Sequence, residues 1–99
     1  MSEPLYPAKI TVEDSAGSLK VYTFGGVPRI RWNKVRDAVR ALSGVKRVDG
    51  SFDEGVAMWV TFDRDVEQGP IDEQILTLIK AHLPADVPFE RIAFRGYPE

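Results

Sequence analysis

The stretch Gly25-Gly26-Val27-Pro28-Arg29-Ile30-Arg31-Trp32-Asn33-Lys34-Val35-Arg36-Asp37-Ala38-Val39-Arg40-Ala41-Leu42-Ser43-Gly44-Val45 decides the fold of this chain. Trp32, Val35, Val39 and Leu42 recur at helical spacing. Asn33, Lys34, Arg36, Asp37 and Arg40 fall outside that stripe, so the segment reads as a helix with one apolar face. Gly25-Gly26 forms the loop before it, and Gly44 is its stop. Immediately upstream, residues 19–24 alternate polar and apolar, as a half-buried strand does. Residues 9–13 alternate in the same way. The turn cluster Asp14-Ser15-Ala16-Gly17-Ser18 joins the two runs into a predicted hairpin.

Downstream, residues 45–52 read as a weak strand and Asp53-Glu54-Gly55 as a turn. Residues 56–62, rich in β-branched and aromatic side chains, make the strongest strand of the chain. Gly69-Pro70 precedes a second helix, with Pro70 in its first turn and Asp72 and Glu73 suited to the positive end of its dipole. Ile71, Ile75, Leu78, Ile79 and Leu83 form its core stripe, Pro84 ends it, and residues 89–97 read as a last strand. The order ββαββαβ predicts an α+β domain: a ferredoxin-like βαββαβ sandwich with an extra N-terminal strand, its antiparallel sheet carrying both helices on one face. Residues 1–99 form one domain in this reading, with residues 1–8 a loose leader containing Pro4 and Pro7.

Composition narrows the function classes. The chain has 99 residues, 43% hydrophobic and 28% charged, which suits one ordinary globular domain. Its formal net charge of −2 argues against a generic nucleic-acid binder, which carries a basic excess. No cysteine is present, so disulfides, thiolate ligands and thiol nucleophiles are excluded. No apolar run reaches membrane-spanning length, and the first residues lack signal-peptide form. The expectation is a cytoplasmic protein without membrane association.

The strand, Gly-rich loop and helix ending in Leu42-Ser43-Gly44-Val45 resemble the heavy-metal-associated domain. In that family a strand leads into Gly-Met-x-Cys-x-x-Cys and then a helix that closes on Leu-x-Gly-Val. With Gly44-Val45 on the family's Gly-Val, Gly25 falls on its loop glycine without a gap, and the two metal-binding cysteines fall on Pro28 and Arg31. The resemblance covers residues 19–63, and Gly96-Tyr97 is similar to the family's terminal Gly-Tyr. Residues 64–95 depart from the pattern. The resemblance implies a ferredoxin-like fold, whereas the substitutions imply a lost metal site. Soft metals require thiolate or thioether ligands. Pro28 offers no side-chain ligand and Arg31 carries a permanent positive charge. Met1 lies in the leader, Met58 has core parity, and the single histidine, His82, sits at the rim of the second helix's stripe. No metal and no cofactor are expected.

Two candidate sites remain. The first is an anion site on Arg29, Arg31 and Lys34, because a helix N-terminus presents free N–H groups and partial positive charge. This loop also resembles the acylphosphatase loop, in which Gly-Val-x-Phe-Arg cradles a phosphate. Here Gly26-Val27 is followed by Pro28-Arg29-Ile30-Arg31, which displaces the arginine by one. That family's water-positioning asparagine has no counterpart between residues 45 and 62, since Asn33 is the only asparagine. The resulting alternative is an enzyme or sensor for a phosphate or carboxylate ligand at residues 25–34.

The second candidate is the sheet face away from the helices. With Leu19, Val21, Met58, Val60, Ile92 and Phe94 directed at the helices, parity sends Lys20, Tyr22, Phe24, Ala57, Trp59, Arg91, Ala93 and Arg95 to the other side. Tyr22, Phe24, Trp59, Arg91 and Arg95 would then form an aromatic face with basic residues beside it, suited to a protein partner or a homodimer. The sequence shows no Ser/His/Asp set, no P-loop and no metal-spaced cluster. The expectation is a non-catalytic protein-interaction or regulatory module.

Overall fold

The computed structural model describes residues 7–15 and 17–92. The chain runs β1 (Ile10–Asp14), β2 (Leu19–Phe24), α1 (Arg29–Arg40), β3 (Val45–Asp49), a 3-10 turn (Phe52–Glu54), β4 (Ala57–Phe62), α2 (Gln68–Lys80) and β5 (Phe89–Ile92). The strands form one sheet in the order β3-β4-β2-β1-β5. The class is the α+β one expected, consistent with a ferredoxin-like arrangement in which β2 and β4 pair antiparallel near the centre.

The sheet is mixed, however, and not wholly antiparallel. β1 pairs antiparallel with β2 but parallel with β5. The reason is topological. In a simple βαββαβ unit the strand after α2 lies beside β2 and antiparallel to it. Here the hairpin places β1 on that flank of β2 first. β5 keeps its direction but is displaced outward by one strand, so it meets β1 in parallel. The predicted third strand is also shorter than expected, ending at Asp49. The chain then turns to bury Phe52 beneath α1.

The core lies between the sheet and the helices. α1 contributes Trp32, Val35 and Val39, and α2 contributes Ile71, Ile75 and Ile79. Each set follows the spacing of one helical face. They close on Ile10, Val12, Tyr22, Phe24, Val48, Met58, Val60 and Phe62. Trp32 is the largest fully buried side chain. It stacks on Phe24 at 5.4 Å between centroids and meets Phe52 edge-on at 6.3 Å. Such pairs contribute about 0.5–1.5 kcal/mol beyond area burial. Leu42 lies past the end of α1 and is only partly buried at the core's margin.

Gly44 accounts for how tightly the connection after α1 can close. It has φ +92°, and a Cβ there would come within 2.4 Å of Ile71 Cδ1. A side chain would therefore both strain the backbone and force α2 outward. Val56 is a second backbone constraint, with φ 52° in the region β-branched residues rarely enter. Its burial and the hydrogen bond from Phe24 N–H to its carbonyl (3.3 Å) hold it there.

These contacts rank the two aromatic and aliphatic positions of the first helical segment. Trp32→Ala is expected to lose about 3–5 kcal/mol, and Leu42→Ala less than about 2 kcal/mol, because only the first empties a fully enclosed volume. Urea denaturation of both variants checks the order.

Candidate functional site

Strand register decides which side chains are available. Tyr22 pairs with Met58 and with Val12, and Phe24 pairs with Ile10. All of these face the helices, and Tyr22 and Phe24 are fully buried. The expected interaction face therefore loses both residues. In β2 the apolar residues Leu19, Val21, Tyr22 and Phe24 occupy both parities, so alternation alone does not assign a face. The two aromatic rings bury more area and take the helix side. Arg91 also lies on the helix side, paired across the sheet with Val12. Arg95 lies outside the described residues. Of the four described residues proposed for the interaction face, Trp59 alone occupies the helix-free side, at 46% exposure. The same register moves Leu19, Val21 and Ile92 to that face, against the expectation that they point at the helices.

Turning Tyr22 inward creates a polar cluster that sequence reasoning missed. Tyr22 Oη donates to Asp72 Oδ1 at 2.5 Å. Arg91 Nη2 donates to Asp72 Oδ2 at 2.7 Å, and Arg91 Nη1 to Asp14 Oδ1 at 3.1 Å. Lys20 Nζ completes the chain by donating to Asp14 Oδ1. Four elements are joined in this way: β1, β2, α2 and β5. A legible signal existed in Asp72 itself. It precedes Ile75 and Ile79 by three and seven residues, which places a carboxylate on the apolar face of α2. A carboxylate so placed is only 7% exposed and needs donors from across the core.

The cluster perturbs its members in opposite directions. Burial raises the Tyr22 phenol, and the hydrogen bond to the Asp72 carboxylate raises it further, far above its ordinary 10.0. Burial also pushes the Asp14 carboxyl up, but the hydrogen bond and charge of Lys20, with the charge of Arg91, outweigh it and hold the group below its ordinary 3.8. Burial lowers Arg91, and the adjacent Asp72 and Asp14 more than compensate, so its guanidinium stays charged. The arrangement is chemically quiet: the acceptors are occupied and Tyr22 is sealed from solvent. It binds elements of the fold to one another.

The helix-free face has a different composition. Its positions on the two central strands are Leu19, Val21 and Thr23 from β2 and Ala57, Trp59 and Thr61 from β4, and none is charged. Val21 and Trp59 are cross-strand neighbours, and Val21 is only 8% exposed. The charges lie to either side, Arg47 and Asp49 on β3 and Glu13 and Glu90 on β1 and β5. Arg47 pairs with Asp49 at 2.8 Å, and Glu90 with Lys9 at 3.4 Å.

The Gly25–Lys34 loop is engaged within the chain. Gly26 has φ +85°, and a Cβ there would meet Ala8 Cα and Cβ at 2.7 Å. Its lack of a side chain thus serves the approach of the N-terminal segment, and Gly25 N–H bonds the Lys9 carbonyl at 3.2 Å. Part of the expected leader, Ala8, therefore packs on the loop. Arg29 pairs with Asp53 and lies over the Phe52 ring at 4.9 Å. Arg31 and Lys34 are exposed on the first turns of α1. Pro28 is the N-cap of α1 and makes no side-chain cap. Among the described residues, no group of three or more His, Cys, Asp or Glu side chains is placed to hold a metal ion. None of the described helices is long and apolar enough to cross a membrane. Comparison with protein-family models, with curated proteins and with solved structures found no match.

The shifts in the polar cluster make its contribution to stability depend on pH. A carboxyl held below its unfolded value stabilises the fold above about pH 3.8, and that contribution is lost as pH falls through the folded value. Asp14→Asn is expected to flatten the acid limb of a thermal-melt series between pH 7 and 2. For Tyr22 the sign reverses: its contribution is complete below pH 10.0 and is lost as pH rises toward its folded value. In a Tyr6→Phe/Tyr97→Phe background, phenolate absorbance should therefore appear only together with alkaline unfolding.

Proposed function

We propose that this domain is a non-catalytic protein-interaction module that binds through the helix-free face of its sheet, centred on Trp59. The supporting observation is the separation of polarity on that face. Six central-strand positions are free of charge, with an exposed indole among them, and charged pairs lie on the flanking strands. This is the anatomy of a protein interface, with an apolar, aromatic centre and a polar rim. An antiparallel sheet with a solvated outer face alternates hydrophobic-in and polar-out more strictly.

The resemblance of residues 19–63 to a heavy-metal-associated domain is part of the same proposal: the scaffold is retained and the metal chemistry is not. Pro28 at the N-cap and Arg31 in the first turn of α1 are positions where paired thiolates would lie at a helix N-terminus. A Pro28→Cys/Arg31→Cys variant that remains folded by circular dichroism is expected to bind copper(I) stoichiometrically in calorimetry, where the unaltered chain does not. A folded double variant that fails to bind counts against the resemblance.

The interaction face has its own test. A photo-crosslinking residue at position 59, introduced in the source cell, is expected to capture protein adducts, while the same residue at Glu73 on α2 does not. No adduct at position 59 removes this reading. Once a partner is captured, Trp59→Ala should weaken its binding by at least about 2 kcal/mol, as central aromatic contacts do, with the urea midpoint unchanged.

A further inference from the structure

β5 is held differently from every other strand. β1, β2, β3 and β4 each place at least one buried apolar residue in the core, but none of the four residues of β5 is buried. Phe89 is 42% exposed. Among the described residues, three kinds of contact attach the strand. One is the parallel pairing with β1 from Ile10↔Phe89 to Glu13↔Ile92, preceded by the Ile10 N–H bond to the Pro88 carbonyl at 2.9 Å. Another is the pair of ion contacts from Arg91 to Asp72 and Asp14. The last lies at the surface: Lys80 over the Phe89 ring at 5.1 Å and Lys9 beside Glu90. Burial of apolar area, the dominant favourable term in folding, is nearly absent from this list.

Its neighbour is in the opposite position. Ile10 and Val12 of β1 are fully buried and belong to the core cluster that both helices close. If β5 leaves, β1 stays in the sheet with one edge of main-chain donors and acceptors unpaired, a template for another strand. The segment 81–88 joins α2 to β5 and contains Pro84 and Pro88. Fully extended, its eight residues span up to roughly 26–29 Å at about 3.3–3.6 Å each, enough to carry β5 to another molecule.

From this we infer that β5 is a detachable edge strand fastened by Arg91, and that two copies of the chain exchange it, each β5 pairing with the β1 of the other. The occupant follows from the contacts. A foreign strand would satisfy the edge of β1 but leave Asp72 without the guanidinium. The β5 of a second copy restores the pairing, both Arg91 ion contacts and the Phe89–Lys80 contact unchanged, and only segment 81–88 alters its path. Exchange of an identical element is a low-cost route to a dimer for this reason. The inference is independent of the Trp59 face and uses the opposite flank of the sheet.

Hydrogen exchange of the unaltered chain tests the opening. The Ile10 amide is expected to exchange ahead of the amides of β2 and β4, and Arg91→Gln should accelerate it by about tenfold or more, as loss of a charge-assisted hydrogen bond does. An Ile10 amide that exchanges only with β2 and β4, or that is unaffected by Arg91→Gln, overturns the proposal. Thr11 and Glu90 are cross-strand neighbours in a chain without cysteine, so Thr11→Cys/Glu90→Cys tests the exchange. After concentration and oxidation, mass mapping should find a dimer joined by 11–90 disulfides, increasing with protein concentration. Only intramolecular 11–90 bonds at every concentration, or dimers joined 11–11 or 90–90, would overturn it.

Discussion

A buried phenol requires an acceptor, and Tyr22 finds one in Asp72, a carboxylate that α2 carries on its apolar face. Much of the molecule depends on this contact. It turns the aromatic side of β2 toward the helices, which places Phe24 under Trp32 and sends Val21 to the other face. It also fixes α2 over the sheet at one point along the strand. The second oxygen of Asp72 receives Arg91, so the acceptor that orients β2 also holds β5. Taking a carboxylate out of water costs several kcal/mol, and only charge-assisted partners with good geometry offset it. Tyr22 and Arg91 together supply those partners.

The extra N-terminal strand has an effect beyond adding a fifth member to the sheet. By occupying the flank of β2, β1 becomes an interior strand with two fully buried residues. β5, which would otherwise lie beside β2, is moved to the edge and beyond most of the apolar area of α2. Besides its main-chain pairing with β1, its side-chain link to the buried Asp72 is the polar one through Arg91. At the other edge, β3 carries Lys46, Arg47 and a register shift between Val45 and Arg47, features that discourage pairing with another chain. The two edges of this sheet are thus protected by different means.

The two faces divide polar and apolar groups in an unusual way. The helix side holds the large aromatic rings and also a charged cluster, whereas the solvent side of β2 and β4 holds no charge. The glycine loop before α1 receives Ala8 against Gly26, and Arg29 lies between Asp53 and Phe52.

The order of elements, both helices with their buried faces, the break at Gly44 and the exposure of Trp59 were all readable in the chain; Gly69-Pro70, expected ahead of the second helix, lies within the first turn of α2, which begins at Gln68. Each rests on periodicity or on a local backbone requirement, and neither needs a partner distant in sequence. The tertiary structure decided the rest. Residues 19–24 place apolar side chains on both parities, so the face of β2 depended on which arrangement buries more area and gives the Tyr22 hydroxyl an acceptor fifty residues away. Arg91 followed, because its face depends on pairing with β1. The parallel β1–β5 ladder likewise arises from competition between two strands for one flank of β2, a choice that no single segment encodes.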